Sequence, residues 1–300
     1  MDPKELGQPI WPWRGWGPIL LLPVAVLIFT PAAWPRWVFM WSLAVSIYAG
    51  CKWLTWRRTP SHGAHWWQHA GYLFVWPGLN AEAFLSSAPL QAKDRPTFWE
   101  WCTAFSRLLA GVVLFWFVAG RITGGDEILI GWIGMTGLIL MLHFGLFHLL
   151  SCAWRSFGID AQPIMRRPLT STSLSEFWSR KWNTAFRDFT YRFLFRPLNK
   201  WCGPRWAIIL GFIFSGIVHD VVISVPAGGG YGGPTFFFGI QAAGMFVERS
   251  RIGRAAGLSN GWRGWLFAMF TLVLPAYGLF HPPFVRTIIL PFMRALQAVH

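Results

Sequence analysis

From Gly15 to Pro35 the chain carries no charged side chain, and its centre reads ILLLPVAVLIF. A helix needs about 20 such residues to cross roughly 30 Å of hydrocarbon, where each backbone amide must find its partner inside the protein. Such runs recur. The second extends from Trp37 to about Trp56 and ends at Arg57-Arg58, a cationic anchor for the interface. Residues 68–85 are apolar but interrupted by Pro77, which suits a short or re-entrant helix. Trp101–Gly120 and Ile128–Trp154 follow, divided by the turn-like Thr123-Gly124-Gly125-Asp126. Then come Trp206–Val225, Thr235–Val247, Gly264–Pro282 and a last stretch from Phe284 onward. The first run starts after residue 14 and lacks a small-residue cleavage pattern, so it reads as a retained span. About eight membrane helices are expected. The fold class is all-α and integral to the membrane, a multi-pass bundle forming one embedded domain over residues 1–300.

Composition agrees. Charged residues make up 13% of the chain against about 25% in soluble domains. The 27 Phe and 22 Trp exclude disorder. A net charge of +14 would suggest nucleic acid in a soluble chain, but cytoplasmic loops of membrane proteins collect Lys and Arg, and no nucleic acid partner is expected. Cys51, Cys102, Cys152 and Cys202 form no CxxC pair, so neither a zinc knuckle nor a disulfide framework is indicated. A bacterial inner membrane is favoured over the endoplasmic reticulum. The oligomeric state is not readable.

Residues 155–205 differ from the rest. Ten basic residues against Asp160, Glu176 and Asp188 supply +7 of the net charge, which predicts a cytoplasmic segment. It is also amphipathic. Phe186, Phe189 and Phe193 recur at helical spacing opposite Arg187, Arg192 and Arg196, the pattern of helices lying in the interface. Ser173 with Glu176 fits a capping box that opens a helix.

His219 and Asp220 interrupt the apolar run AIILGFIFSGIVHDVVISV. A central charge there costs about 2.5–3.5 kcal/mol on insertion scales, so such residues normally face the bundle interior and carry function. A neutral imidazole with an ordinary pKa near 6.5 can take a proton from a hydroxyl, which makes His219 a candidate general base. Asn183, after Trp182 in the amphipathic segment, is an uncharged donor suited to polarising a carbonyl.

Two blocks carry a family resemblance. Phe177-Trp178-Ser179-Arg180-Lys181-Trp182-Asn183, followed by Phe195-Arg196-Pro197-Leu198, resembles the FWxxxWN block of the membrane-bound O-acyltransferase superfamily. Ser215-Gly216-Ile217-Val218-His219-Asp220, running on to Ser224-Val225-Pro226, resembles its histidine helix. Within the superfamily the similarity is to the wax synthase and the diacylglycerol or sterol acyltransferase branches, over about residues 174–250. It implies a bundle around an internal tunnel, His219 as catalytic base, Asn183 as its partner and Asp220 as an orienting carboxylate where the family usually has Glu. It also implies acyl-CoA as donor substrate, bound around Trp178, Arg180, Lys181, Trp182, Arg187, Arg192 and Arg196. The acceptor would be a hydrophobic alcohol reaching the tunnel from the bilayer, a fatty alcohol first. No retained cofactor and no metal are implied.

Other clusters give weaker signals. His62, His65 and His69 have helical spacing but no neighbouring Asp, Glu or Cys, and Trp66-Trp67 suggests an interfacial belt. His143 and His148 share a helix face poorly, and His148 reads as a packing or tunnel residue. Gly228-Gly229-Gly230-Tyr231-Gly232-Gly233 lacks the Lys-Ser/Thr ending of a phosphate loop and reads as a flexible connection. The alternative function is a transporter with an intramembrane His-Asp proton relay, although no counterpart of residues 174–250 stands in the first half.

Overall fold

The computed structural model describes residues 15–60, 63–122 and 125–299, and among these there are helices and no strand. We label the principal helices α1 (Gly17–Phe29), α2 (Arg36–Arg57), α3 (Ala92–Arg121), α4 (Glu127–Ser156), α5 (Thr184–Ala227), α6 (Gly233–Arg249), α7 (Gly261–Leu279) and α8 (Pro282–Ala295). Four of them (α2 to α5) are long and apolar enough to cross a membrane, and a fifth span arises if α7 and α8, bent by 61°, count as one. That is the count by length and composition, against the eight expected. Helix α1 has 13 residues and so reaches about 20 Å. Thr123 and Gly124 of the expected turn, and His62, lie outside the described residues.

Local chemistry sets the ends. Thr97 Oγ1 accepts from the Glu100 amide at 3.2 Å, and Asp126 Oδ1 from the Ile128 amide at 2.9 Å, which starts the main part of α3 and then α4. Gly111 on α3 lies so close to α4 that a Cβ would stand 2.6 Å from the Gly137 carbonyl oxygen. Small residues at such crossings let membrane helices touch backbone to backbone. Less than half of each of these four spans is buried inside the protein, and Val45, Phe105, Leu129 and Ile217 face outward, as lipid contact requires. The main core joins Met40, Phe115, Met135, Ile223, Phe238, Val285, Ile288 and Met293 from α2 to α6 and α8.

Helix α5 is two limbs. Gly203 takes φ 79° and ψ 170°, outside any helix, and Pro204 follows, so the chain turns there. The first limb is the basic amphipathic segment and the second carries His219. The aromatic stripe of the first limb packs partly on protein rather than only on lipid: Phe189 is buried, and Phe193 meets Trp16 edge to face at 6.0 Å.

One tie is long in sequence. Glu248, 2% exposed at the end of α6, accepts the backbone amides of Leu174 (2.6 Å) and Ser175 (3.2 Å). It anchors the turn that leads into Trp178. Removing an acceptor from buried amides costs about 1–3 kcal/mol, more for a charged one. Glu248→Ala should therefore lower stability by roughly that amount. A thermal melt in detergent within a degree of the parent would contradict this.

The expected capping box is half made. Ser173 Oγ accepts from the Glu176 amide at 3.0 Å, while the Glu176 carboxylate turns to the Thr172 amide at 2.8 Å and to Lys181 at 3.0 Å. Burial alone would raise the Glu176 carboxyl, but these bonds outweigh it and hold it below the usual carboxylate value. A folded value below the unfolded one stabilises the turn at pH above the ordinary carboxylate range. That contribution is lost as pH falls through the lowered value.

Candidate functional site

A cavity of about 310 Å³ lies in the crook of α5, walled by its two limbs and by α6. Its lining is mostly apolar, with Phe186, Leu194, Phe212 and Phe238 among it. His219 from the second limb and Asn183 from the head of the first both line it. The kink at Gly203 is what turns residues 36 positions apart in sequence toward one space.

His219 is held in one tautomer. Its Nδ1 lies 2.6 Å from the Ser215 carbonyl oxygen, one helical turn back. A carbonyl can only accept, so Nδ1 carries the hydrogen and Nε2 keeps an unshared pair. The ring also rests against Phe238, with centroids 4.7 Å apart. Ser215 was not singled out from sequence, though its i−4 spacing to the histidine is a readable signal.

Asn183 is not inside a helix. It caps α5 in the left-handed conformation, φ 40° and ψ 61°, with Oδ1 accepting from the Phe186 amide at 3.1 Å. Asn tolerates this backbone better than other non-glycine residues because its short side chain bonds locally. Its own amide meets Met165 Sδ at 3.2 Å. With Oδ1 committed to the cap, the side-chain NH2 has no protein partner among the described residues. The cap therefore orients a free donor at the cavity wall.

Asp220 does not orient His219 through a hydrogen bond. Successive helical residues project about 100° apart, so its carboxylate leaves on another face. It accepts from Ser224 Oγ and the Gly232 amide, both at 2.8 Å, from the Thr235 amide at 3.1 Å, and from Thr235 Oγ1. The carboxylate thus fastens the start of α6 and the glycine segment, where Gly228, Gly230 and Gly232 take positive φ. That segment is an ordered turn rather than a flexible connection. Gly230 packs on the His281 ring, and His281 Nδ1 accepts from the Phe284 amide at 3.2 Å, so its Nε2 donates toward Ser224 at 3.2 Å. Ser224 is fully buried and gives its proton to Asp220, an arrangement of structural bonds and not of a nucleophile. Asp220→Asn should lower the melting temperature by several degrees by weakening these bonds, each worth about 1–2 kcal/mol. An unchanged melt would contradict the fastening role.

Of the residues expected at the donor, Trp178, Trp182 and Arg187 line the cavity, and Arg180, Lys181, Arg192 and Arg196 do not. Lys181 bonds Thr170 and Glu176, and Arg192 donates to the Arg58 carbonyl at 3.1 Å. Arg187 pairs with Asp188 and donates to the Ser179 carbonyl at 2.7 Å. Trp178 is fixed by Phe212 and Phe238 and donates to Gln241 Oε1 at 3.4 Å. Gln241, fully buried, in turn holds the Thr271 carbonyl at 2.9 Å. Trp182 lies between Phe177 and His143. The buried amide of Gln241 in an apolar span was a readable signal; the stack on His143 was not.

Among the described residues one trio places metal-ligand atoms within 4.8 Å of one another: Glu100, His148 and Cys152. Arg155 already occupies it, bonding Glu100 and lying 3.6 Å from Cys152 Sγ, so a cation would meet a resident guanidinium. His69 Nδ1 accepts from Trp56 Nε1 at 3.0 Å, and His65 caps the helix Trp66–Ala70.

Both lining residues, His219 and Asn183, stand in a segment with known counterparts. Residues 161–239 match the model of the membrane bound O-acyl transferase family. The resemblance of the two blocks extends over this whole segment. Within it the chain is 35% identical over 74 residues to a long-chain-alcohol O-fatty-acyltransferase of Simmondsia chinensis, covering 22% of this chain and 21% of that protein. A probable long-chain-alcohol O-fatty-acyltransferase 8 of Arabidopsis thaliana is 32% identical over 73 residues, covering 22% of each chain. A third, number 2 of that series, is 29% identical over 73 residues, covering 22% and 21%. The matched part spans about a fifth of the length of these curated relatives. They are plant proteins and lend no weight to a bacterial inner membrane. The matched segment begins before the FWxxxWN block and closes within α6, so it contains both limbs of the cavity.

Proposed function

We propose that this chain is a membrane O-acyltransferase that moves an acyl group from acyl-CoA to the hydroxyl of a long-chain alcohol. The observation that carries the reading is the shared cavity: one free imidazole nitrogen and one free amide donor on opposite limbs of a bent helix, in an apolar space. The names of the plant relatives support the reaction class.

His219 Nε2 takes the proton of the alcohol as its oxygen attacks the thioester carbonyl. Nδ1, held by the Ser215 carbonyl, keeps the ring in the tautomer that can do so. The Asn183 amide donates to the carbonyl oxygen as it gains charge. Collapse breaks the C–S bond, and coenzyme A leaves as a thiolate that recovers the proton from His219. No cofactor is retained. The apolar wall of Phe186, Leu194, Phe212 and Phe238 suits acyl and alkyl chains. The polar donor head enters from the cytoplasmic side, where residues 155–205 lie, and the alcohol arrives from the bilayer.

Purified protein incubated with labelled palmitoyl-CoA and a panel of alcohols tests this. Free coenzyme A and labelled ester should appear together, and only with an acceptor present. Release of coenzyme A that ignores the alcohol would refute the reading. A cysteine introduced at Arg180 should be modified by an impermeant reagent from the cytoplasmic side alone. Modification from the opposite side would reverse the assigned topology.

A further inference from the structure

Arg107 lies on α3, nine residues past Phe98 and so about 13 Å along the helix. An arginine within a span is expensive, and such residues face a cavity or a counter-charge. Arg107 faces a cavity. The hollow measures about 400 Å³ and is shared with Arg166 and Arg167. None of the three arginines has an ion-pair partner among the described residues. Arg107 rests over the Phe144 ring at 5.8 Å, and its charge is close enough to that of Arg167 for the two to repel. The acid on the same wall, Glu100, is already taken by Arg155 and by His148 at 2.9 Å.

The backbone holds this convergence in place. Arg167 takes φ 51° and ψ 57°, a left-handed conformation that is strained for a non-glycine residue. The preceding strip is pinned to the FWxxxWN block: the Arg166 amide donates to the Lys181 carbonyl at 2.8 Å and the Thr184 amide to the Ile164 carbonyl at 3.0 Å. Three guanidinia without counter-ions, one of them inside a span, form a cavity that lacks an anion. Guanidinium forks match phosphate oxygens in pairs.

We propose that the cavity of Arg107, Arg166 and Arg167 is a binding site for a phosphate ester. The phosphate comes either from the phosphorylated head of coenzyme A or from an anionic phospholipid headgroup. The site is separate from the His219 cavity but connected to it through shared walls. Arg166 also lines a smaller hollow of about 210 Å³, Arg187 lines that hollow too, and Arg187 lines the cavity of His219. The inference does not require acyl transfer.

The test reads binding without turnover. Protein is placed in phosphatidylcholine nanodiscs and titrated with free coenzyme A, and in a second arm the discs contain phosphatidylglycerol and the lipid retained after delipidation is measured. Arg107→Gln and the surface double variant Arg166→Gln/Arg167→Gln are compared with the parent and with Arg121→Gln. The double variant changes exposed side chains and keeps the test valid if Arg107→Gln fails to fold. A drop of tenfold or more in coenzyme A affinity, with a flatter salt dependence, assigns the donor head. An equal loss of retained phosphatidylglycerol assigns the lipid. If the parent binds neither, or if both arms are unchanged in the variants, the proposal is overturned. Because no alcohol is present, failure here leaves the acyl-transfer assay to stand or fall by itself.

Discussion

Replacing His219 by alanine is expected to lower kcat by about 10²–10⁴-fold, the range a positioned general base supplies. The protein should stay folded. The change removes one hydrogen bond to the Ser215 carbonyl and the contact with Phe238, a loss of about 1–3 kcal/mol that leaves the rest of the main core in place. His219→Gln is the sharper variant. Its amide nitrogen can still donate to Ser215, but no nitrogen with an unshared pair remains, so it should be as inactive as alanine. Coenzyme A release and a thermal melt, run together, separate chemistry from folding. Turnover within about tenfold of the parent in either variant would mean that another group takes the proton.

Asn183 should yield a graded series because it does two jobs with two atoms. Asn183→Ala loses the cap and the donor and places a Cβ-bearing side chain without local bonds at φ 40°. It should destabilise by about 1–3 kcal/mol and lower kcat by about 10²-fold. Asn183→Asp keeps an acceptor for the Phe186 amide and removes the NH2 group. It should melt near the parent and lose as much activity as alanine. Asn183→Gly suits the left-handed backbone but supplies neither atom, so it should be more stable than alanine and no more active. If the aspartate variant retains kcat, the amide serves the fold alone. Measuring kcat and KM separately matters, since a donor used only in the transition state lowers kcat without raising KM.

The class of the fold was legible because it rests on composition over long windows. A run such as Gly15–Pro35 has no stable alternative to a buried or membrane helix, and 155–205 announces itself by charge. The helix count was less legible, because hydropathy does not register bends. Gly203-Pro204 turns α5, and α7 and α8 meet at 61°, so apolar length and membrane crossings part company. Lys52 is the same lesson in one residue. Its charge falls inside an apolar run, and only the fold reveals a carbonyl at 2.5 Å, from Gly78, and the Tyr72 ring at 3.5 Å to hold it.

The site divides in the same way. The sequence by itself determined which side chains could do chemistry here: a histidine and an amide are conspicuous in apolar surroundings, whatever their neighbours. It also determined the family resemblance of the two blocks, since that lies in residue identities and their order. The tertiary structure alone decided which groups meet. It gave Asp220 to the start of α6 rather than to His219, paired Lys181 with Glu176, and gathered Arg107, Arg166 and Arg167 from positions up to sixty apart in sequence. The physical reason is range. Propensity and hydropathy are properties of a residue and its near neighbours, whereas a hydrogen bond or an ion pair depends on distances of a few ångströms set by how whole helices bend and pack.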